Sequence, residues 1–118
     1  MGQPAAKQGD KIVALDRHTT PTAPPQIVSL PFIGALSAGL SPDVSIQGAP
    51  AATEGSIAFI VPPHFAAPNQ GKVDVGSRTV LINGKGAARN GDPATTCSEP
   101  PPFVPGKVVA AGTVLIGD

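Results

Sequence analysis

Apolar and polar positions in this chain come in short bursts, and turn residues close almost every burst. The clearest is TVLINGKGAARNGD, Thr79 to Asp92. Val80, Leu81 and Ile82 favour a strand. Asn83-Gly84 is the dipeptide best suited to a type I′ hairpin turn, whose two central residues both need positive φ. A return strand of small residues, Lys85 to Arg89, then runs into a second turn at Asn90-Gly91-Asp92. No window places apolar residues at helical spacing without a Pro or Gly break, so helix is not expected.

The same pattern recurs. Val44 to Ser56 (VSIQGAPAATEGS) aligns without a gap to Val80 to Asp92 (VLINGKGAARNGD), offset by 36 positions, as Asp92 is from Ser56. Each copy has a strand, a turn (Gln47-Gly48 or Asn83-Gly84), an Ala-Ala return and a Gly-Ser or Gly-Asp stop. The N-terminal Ala5-Ala6-Lys7-Gln8-Gly9-Asp10 matches Ala87 to Asp92, the back half of a third copy. Its front half stands at the other end, where Gly112-Thr113-Val114-Leu115-Ile116-Gly117 matches Arg78 to Asn83, just after Ser77. Gly106-Lys107-Val108 likewise matches Gly71-Lys72-Val73. One such unit cannot bury its apolar face alone. Three strand–turn–strand units around a pseudo-threefold axis would do so, with the third closed by pairing the two chain ends.

Composition narrows this picture. A length of 118 residues fits one domain, 1–118. Gly and Pro, 14 and 15 residues, would by themselves point to disorder. Against that stand the 41% hydrophobic content and the β-branched runs between turns, so the expectation is all-β structure with long Pro-stiffened loops. With 8 basic and 8 acidic residues the net charge is zero, which excludes an electrostatic grip on nucleic acid. Lys72, Arg78, Lys85 and Arg89 are scattered, with no aromatic residues between them for stacking. A charged fraction of only 14% suits a protein packed against a partner.

The start MGQPAAKQGD lacks an apolar signal-peptide region. Leu30 to Leu40 (LPFIGALSAGL) falls short of the roughly 18–20 residues of a membrane span. It stands out as an insertion along the flank, with membrane activity as its other reading. The single cysteine, Cys97, cannot form an internal disulfide, consistent with synthesis in a reducing cytosol.

Candidate chemistry follows the stops. His18 lies eight positions after Asp10, and His64 lies the same eight after Ser56. These are the chain's two histidines. Cys97 follows Asp92 by five. Each begins a Pro-rich stretch: HTTPTAPPQ, HFAAPNQ and CSEPPPFVPG. Near a threefold axis, two imidazoles and a thiolate would make a zinc site, since Zn²⁺ takes nitrogen and sulfur donors in tetrahedral geometry. Separately, each residue also reads as an ordinary surface histidine or a small buried thiol. The count stops at three of the four ligands a structural zinc takes. Asp16 and Glu99, each two residues from His18 or Cys97, could supply the fourth, as could water. Three ligands with an open position also leave a small zinc hydrolase as an alternative, although Pro-rich loops supply few groups for a general base. GKGAARNGD lacks the spacing of a phosphate-binding loop.

The element GAARNGD, preceded by TVLINGK and echoed by PAAKQGD and a terminal GTVLIGD, resembles the PAAR-repeat proteins, named for Pro-Ala-Ala-Arg. Here the tetrapeptide appears as Pro4-Ala5-Ala6-Lys7, Pro50-Ala51-Ala52-Thr53 and Gly86-Ala87-Ala88-Arg89. The resemblance covers most of the chain. It implies a small cone of short β-hairpins whose loops converge on an apical metal, zinc rather than iron, held by three histidines and a cysteine. His18, His64 and Cys97 match three of those ligands, and the third histidine is missing. It also implies a non-enzymatic tip on the trimeric β-helix spike of a type VI secretion system or a phage-tail-like injection machine. One copy would sit on each trimer, with cargo effectors as further partners and a passing contact with the target membrane. Such a protein is expected in the bacterial cytoplasm during assembly and at the tip of the delivered apparatus afterwards. Since the last strand signal runs to the end of the chain, no fused toxin is expected. A free-standing metal-binding adaptor is the remaining alternative.

Overall fold

The computed structural model describes residues 2–60, 69–96 and 106–117. Its strands are β1 (Gln3–Pro4), β2 (Lys11–Thr19), β3 (Ile27–Ala38), β4 (Ser45–Ile46), β5 (Ala49–Pro50), β6 (Ile57–Phe59), β7 (Gln70–Val73), β8 (Leu81–Ile82), β9 (Lys85–Gly86), β10 (Pro93–Thr95), β11 (Gly106–Val109) and β12 (Leu115–Ile116). No helix appears among the described residues. The molecule is all-β, with one long dimension and two equal short ones, 48 × 23 × 23 Å.

Short and long hairpins alternate along the chain. The short ones are β4–β5, β8–β9 and the split pair β12–β1, each a separate two-stranded sheet. At the tips of the first two, Gln47 and Gly48 have φ of 51° and 84°, and Asn83 and Gly84 have 53° and 79°, the double positive φ of the anticipated turn. In the third, Gln3 pairs Ile116 and Pro4 pairs Leu115, which joins the two ends as the repeat required. The long elements are antiparallel pairs, β2–β3, β6–β7 and β10–β11. Each pairs with the next, and together they close a six-stranded barrel in the order β10-β11-β2-β3-β6-β7.

The Ala-Ala segments differ from expectation in an informative way. Lys85 and Gly86 pair back onto β8, and the Ala87 amide still donates to the Val80 carbonyl at 3.0 Å, but from Ala87 onward the segment also crosses to the other two copies. Ala5 bridges Arg89, Ala51 bridges Lys7 and Ala87 bridges Thr53. The Ala6 amide donates to the Ala88 carbonyl at 2.9 Å, Ala88 to Ala52 at 3.0 Å, and Ala52 to Ala6 at 3.0 Å. Three backbones therefore meet in a closed ring of hydrogen bonds around the axis. All three of these alanines are fully buried, and a methyl group is what such an approach accommodates. Each copy then ends in a side-chain-locked turn: Asp10 Oδ2 accepts from Lys7 N (3.0 Å), Ser56 Oγ from Thr53 N (2.9 Å) and Asp92 Oδ2 from Arg89 N (2.7 Å).

The ring separates two apolar clusters. On one side Ile46, Ile82 and Ile116, the same position in the three short hairpins, pack with Ala5, Ala51 and Ala87. On the other, Ile12, Leu36, Ala58, Val73, Ala94 and Val108 fill the barrel. In each long hairpin the inward residue of the outgoing strand pairs with a glycine: Ile12 with Gly34, Ala58 with Gly71 and Ala94 with Gly106. A methyl added to Gly34 would stand 2.9 Å from Phe32 Cε1, and one added to Gly71 would stand 3.3 Å from the same atom. Gly34 and Gly71 thus make room for Phe32, by volume the largest of the described side chains that are fully buried.

The segment Leu30 to Leu40 is not an insertion. Most of it is β3, the return strand of the first long hairpin, equivalent to β7 and β11. Phe32 and Leu36 point inward and are fully buried, alternating with the exposed Pro31, Ile33 and Ser37. Its apolar look reflects a strand buried on one face, not an added loop.

Candidate metal centre at the barrel tip

Strand β2 carries the polar contents of the barrel. Its period-2 alternation puts Ile12, Ala14, Asp16 and His18 on the inward face, with Lys11, Leu15 and Thr19 exposed. The lining therefore changes from apolar to ionisable half-way along one strand. Within the described residues β11 pairs with β2 up to Val13 and β6 pairs with β3 from Ala35 to Ala38, and β2 and β3 stay paired up to Thr19 and Ile27. That hairpin extends about 20 Å past Val13, at roughly 3.3 Å per residue.

Asp16 and His18 are 0% and 1% exposed. Their Oδ2 and Nε2 atoms lie 3.8 Å apart. Thr96, also buried, donates its hydroxyl to Asp16 Oδ1 in a very short hydrogen bond across the barrel from the end of β10. A loop of residues 20–26 turns the hairpin, held by Thr20 N to Gln26 O at 2.7 Å and Gln26 N to Thr20 Oγ1 at 2.9 Å.

Of the three residues singled out from sequence, the structure places His18 inside the barrel tip. His64 and Cys97 lie outside the described residues. The strands that lead toward them, β6 and β10, run in the same direction as β2, from the alanine ring toward the tip. Among the described residues no group of three His, Cys, Asp or Glu side chains gathers to hold a metal. The donors that are described fit zinc in kind, a buried imidazole nitrogen beside a buried carboxylate oxygen.

Sequence spacing singled out His18 and weighed Asp16 only by its nearness in number. Thr96 was missed. The signal available was the strand pattern itself: in KIVALDRHT, residues 16 and 18 share a face, and that face is apolar at residue 12.

At the opposite end the short hairpins present a threefold array of exposed apolar groups. Val44, Val80 and Val114 are 36%, 37% and 39% exposed, and Leu81 and Leu115 are 60% and 59% exposed. Polar contacts link each hairpin to the next around the axis. Ser41 Oγ and Asn83 Oδ1 lie 2.7 Å apart, Asn83 Nδ2 donates to Asp43 (3.0 Å), Gln47 Nε2 to Thr113 (3.2 Å), and Ser77 Oγ to the Gly117 carbonyl (3.0 Å).

In comparison with known protein families, the PAAR motif matches residues 21–98. The match contains the two complete copies of the repeat. No curated protein and no solved structure matches the chain.

Proposed function

The chain belongs to the PAAR-motif family, and from that premise we propose that it caps the trimeric β-helix spike of a contractile injection machine, one copy per trimer. Membership supports a spike-tip role in general terms, and the family is a structural one. The observation that carries the finer reading is the threefold base built from a single chain. Three short hairpins offer a partner the same exposed valine position (Val44, Val80 and Val114), with an exposed leucine beside it in two of them, and among the described residues each forms a separate two-stranded sheet. A threefold trimer ends in three equivalent sets of strands, and a pseudo-threefold monomer can satisfy all of them at once.

At the other end we propose an apical zinc held by His18, His64 and Cys97. When bound, the metal cross-links the tip and resists its opening under load. His18 is pre-positioned for this by burial and by the β2–β3 ladder. In this reading the site has no catalytic task, so His18→Ala lowers stability and leaves no turnover to lose, whereas the hydrolase alternative requires lost turnover. Effector cargo and passage through the target membrane belong to the same proposal, as does assembly in the cytoplasm before delivery.

The test is the stoichiometry of the complex with the cognate spike, measured by light scattering on a sizing column. One chain per spike trimer is expected. Leu81→Asp together with Leu115→Asp should abolish the complex while shifting stability by no more than about 0.5 kcal/mol, since both side chains are exposed. A well-folded wild-type protein that leaves the spike unbound at micromolar concentrations would refute the capping role.

A further inference from the structure

The outer surface of the barrel is lopsided. Four of its six strands, β11, β2, β3 and β6, carry apolar side chains outward in register. Val109, Lys11, Ala35 and Phe59 stand side by side in one row, Lys107, Val13 and Ile33 in the next, and Leu15 and Pro31 in a third. Leu15, Ile33 and, nearer the tip, Ile27 are more than half exposed, and Phe59 and Val109 more than two-fifths. Side chains opposite one another on neighbouring strands stand roughly 5 Å apart, so the rows merge into one patch. The other two strands, β7 and β10, turn Gln70, Lys72, Pro93 and Thr95 outward instead. The core does not account for the difference, since Phe32 and Leu36 already fill the inward face of β3.

We propose that this face binds an anionic phospholipid bilayer. The barrel lies on its side in the interface, with Leu15, Ile33 and Phe59 among the acyl chains and Lys11 and Lys107 at the headgroups. This is an affinity of the free chain, so it goes beyond the capping role and does not depend on it.

Charge selects the occupant. The outward-facing charges on these four strands are Lys11, Arg17 and Lys107, all positive, and the strands' one carboxylate, Asp16, is buried inside. Lys11 and Lys107 stand within the apolar rows, and neither has a salt-bridge partner among the described residues. Lysines so placed lay their alkyl stems along the patch and extend their ammonium groups to lipid phosphates. A second copy fits less well, because a two-fold contact would set these cations against each other. The barrel is closed, so the face offers side chains and no free strand edge for a peptide to extend. Val13, Pro31, Ile33 and Lys107 also line an open groove of about 570 Å³, which has room for part of an acyl chain with a cation beside it.

The experiment is sedimentation of the full chain with vesicles, of phosphatidylcholine alone and of equal parts phosphatidylcholine and phosphatidylglycerol. Light scattering on a sizing column and circular dichroism accompany it. The wild type should be a folded monomer that prefers the mixed vesicles to the neutral ones by at least about tenfold. Raising the ionic strength should erode that preference. Lys11→Ser with Lys107→Ser should weaken binding to the mixed vesicles about 25-fold. Leu15→Thr with Ile33→Thr, which keeps the strand preference, should weaken it by at least about tenfold. Lys72→Ser, on the polar flank, should change it less than about twofold. If the threonine variant fails to fold, the lysine pair decides. A folded, monomeric wild type that stays in solution beside both kinds of vesicle would overturn the proposal and leave the face to a protein partner. Binding that survives both double variants would overturn it by moving the lipid contact elsewhere. A dimer that Leu15→Thr with Ile33→Thr converts to monomer would overturn it in favour of a second copy. None of these results alters the spike stoichiometry, which is set at the base.

Discussion

The two ends of this barrel are built by different means. At the base, three copies repeat the same contacts almost atom for atom, and the repeated groups are mostly backbone amides and carbonyls. At the tip the symmetry lapses. Ile12, Ala58 and Ala94 stand at one repeat position of β2, β6 and β10, and β2 goes on to turn Asp16 and His18 inward. Where backbone does the joining, three different sequences can make one structure. Lys7-Gln8-Gly9-Asp10 and Thr53-Glu54-Gly55-Ser56 differ at three of four positions and form the same turn. Where side-chain chemistry does the work, each strand contributes something of its own.

The strongest way to break this contrast is at the alanine ring. Leu in place of Ala6, Ala52 or Ala88 inserts three carbons where three backbones meet, and each change should cost at least about 3 kcal/mol. Thermal melts should show drops on the order of 10 °C, nearly equal for the three. Unequal drops would show that the base is less symmetric energetically than geometrically. Next comes metal removal. Stripping a metal held at 100 times its dissociation constant should cost about 2.7 kcal/mol. Hydrogen exchange should locate the loss in Ala14–Thr19, leaving the amides of the alanine ring protected.

The three inward glycines sharpen the comparison, because one repeat position meets different walls. A methyl at Gly34 meets the Phe59 carbonyl at 2.8 Å, which is backbone and cannot swing aside. At Gly71 the nearest atoms are side-chain carbons of Ile12 and Thr96, both at 3.2 Å. Gly34→Ala should therefore cost about 2–3 kcal/mol and Gly71→Ala about 1 kcal/mol by denaturant unfolding. The smallest effect is expected at the base rim. Asn83→Ala loses the tolerance of Asn for positive φ and the link to Ser41 and Asp43, for about 0.5–1 kcal/mol because the site is exposed, with Gln47→Ala below it.

The base was legible in sequence for the same reason that it is symmetric. Turn residues such as Asn83-Gly84 state their backbone geometry outright, and three copies corroborate one another. The crossing of Ala87–Arg89 to other copies was not legible, because small residues permit close approach without saying to what. Leu30 to Leu40 was misread as an insertion because β3 shares little with β7 and β11 beyond the glycine at 34, 71 and 106. At the tip, counting from Asp10 drew notice to His18 without saying that it is buried, and the partnership of Asp16 with Thr96 joins residues 80 positions apart and needs the closed barrel to bring them together.

The alanine ring has one further consequence. Linear repeat proteins have outermost units, and unravelling starts there, one unit at a time, because each unit touches only its neighbours. Here the array is bent into a circle, and every copy both gives a hydrogen bond to one companion and takes one from the other. A circle has no outermost unit. Loosening any copy withdraws support from both companions, so fraying has nowhere to begin and the three melt as one. A short chain made of short strands thereby acquires the all-or-none cooperativity of a single larger core.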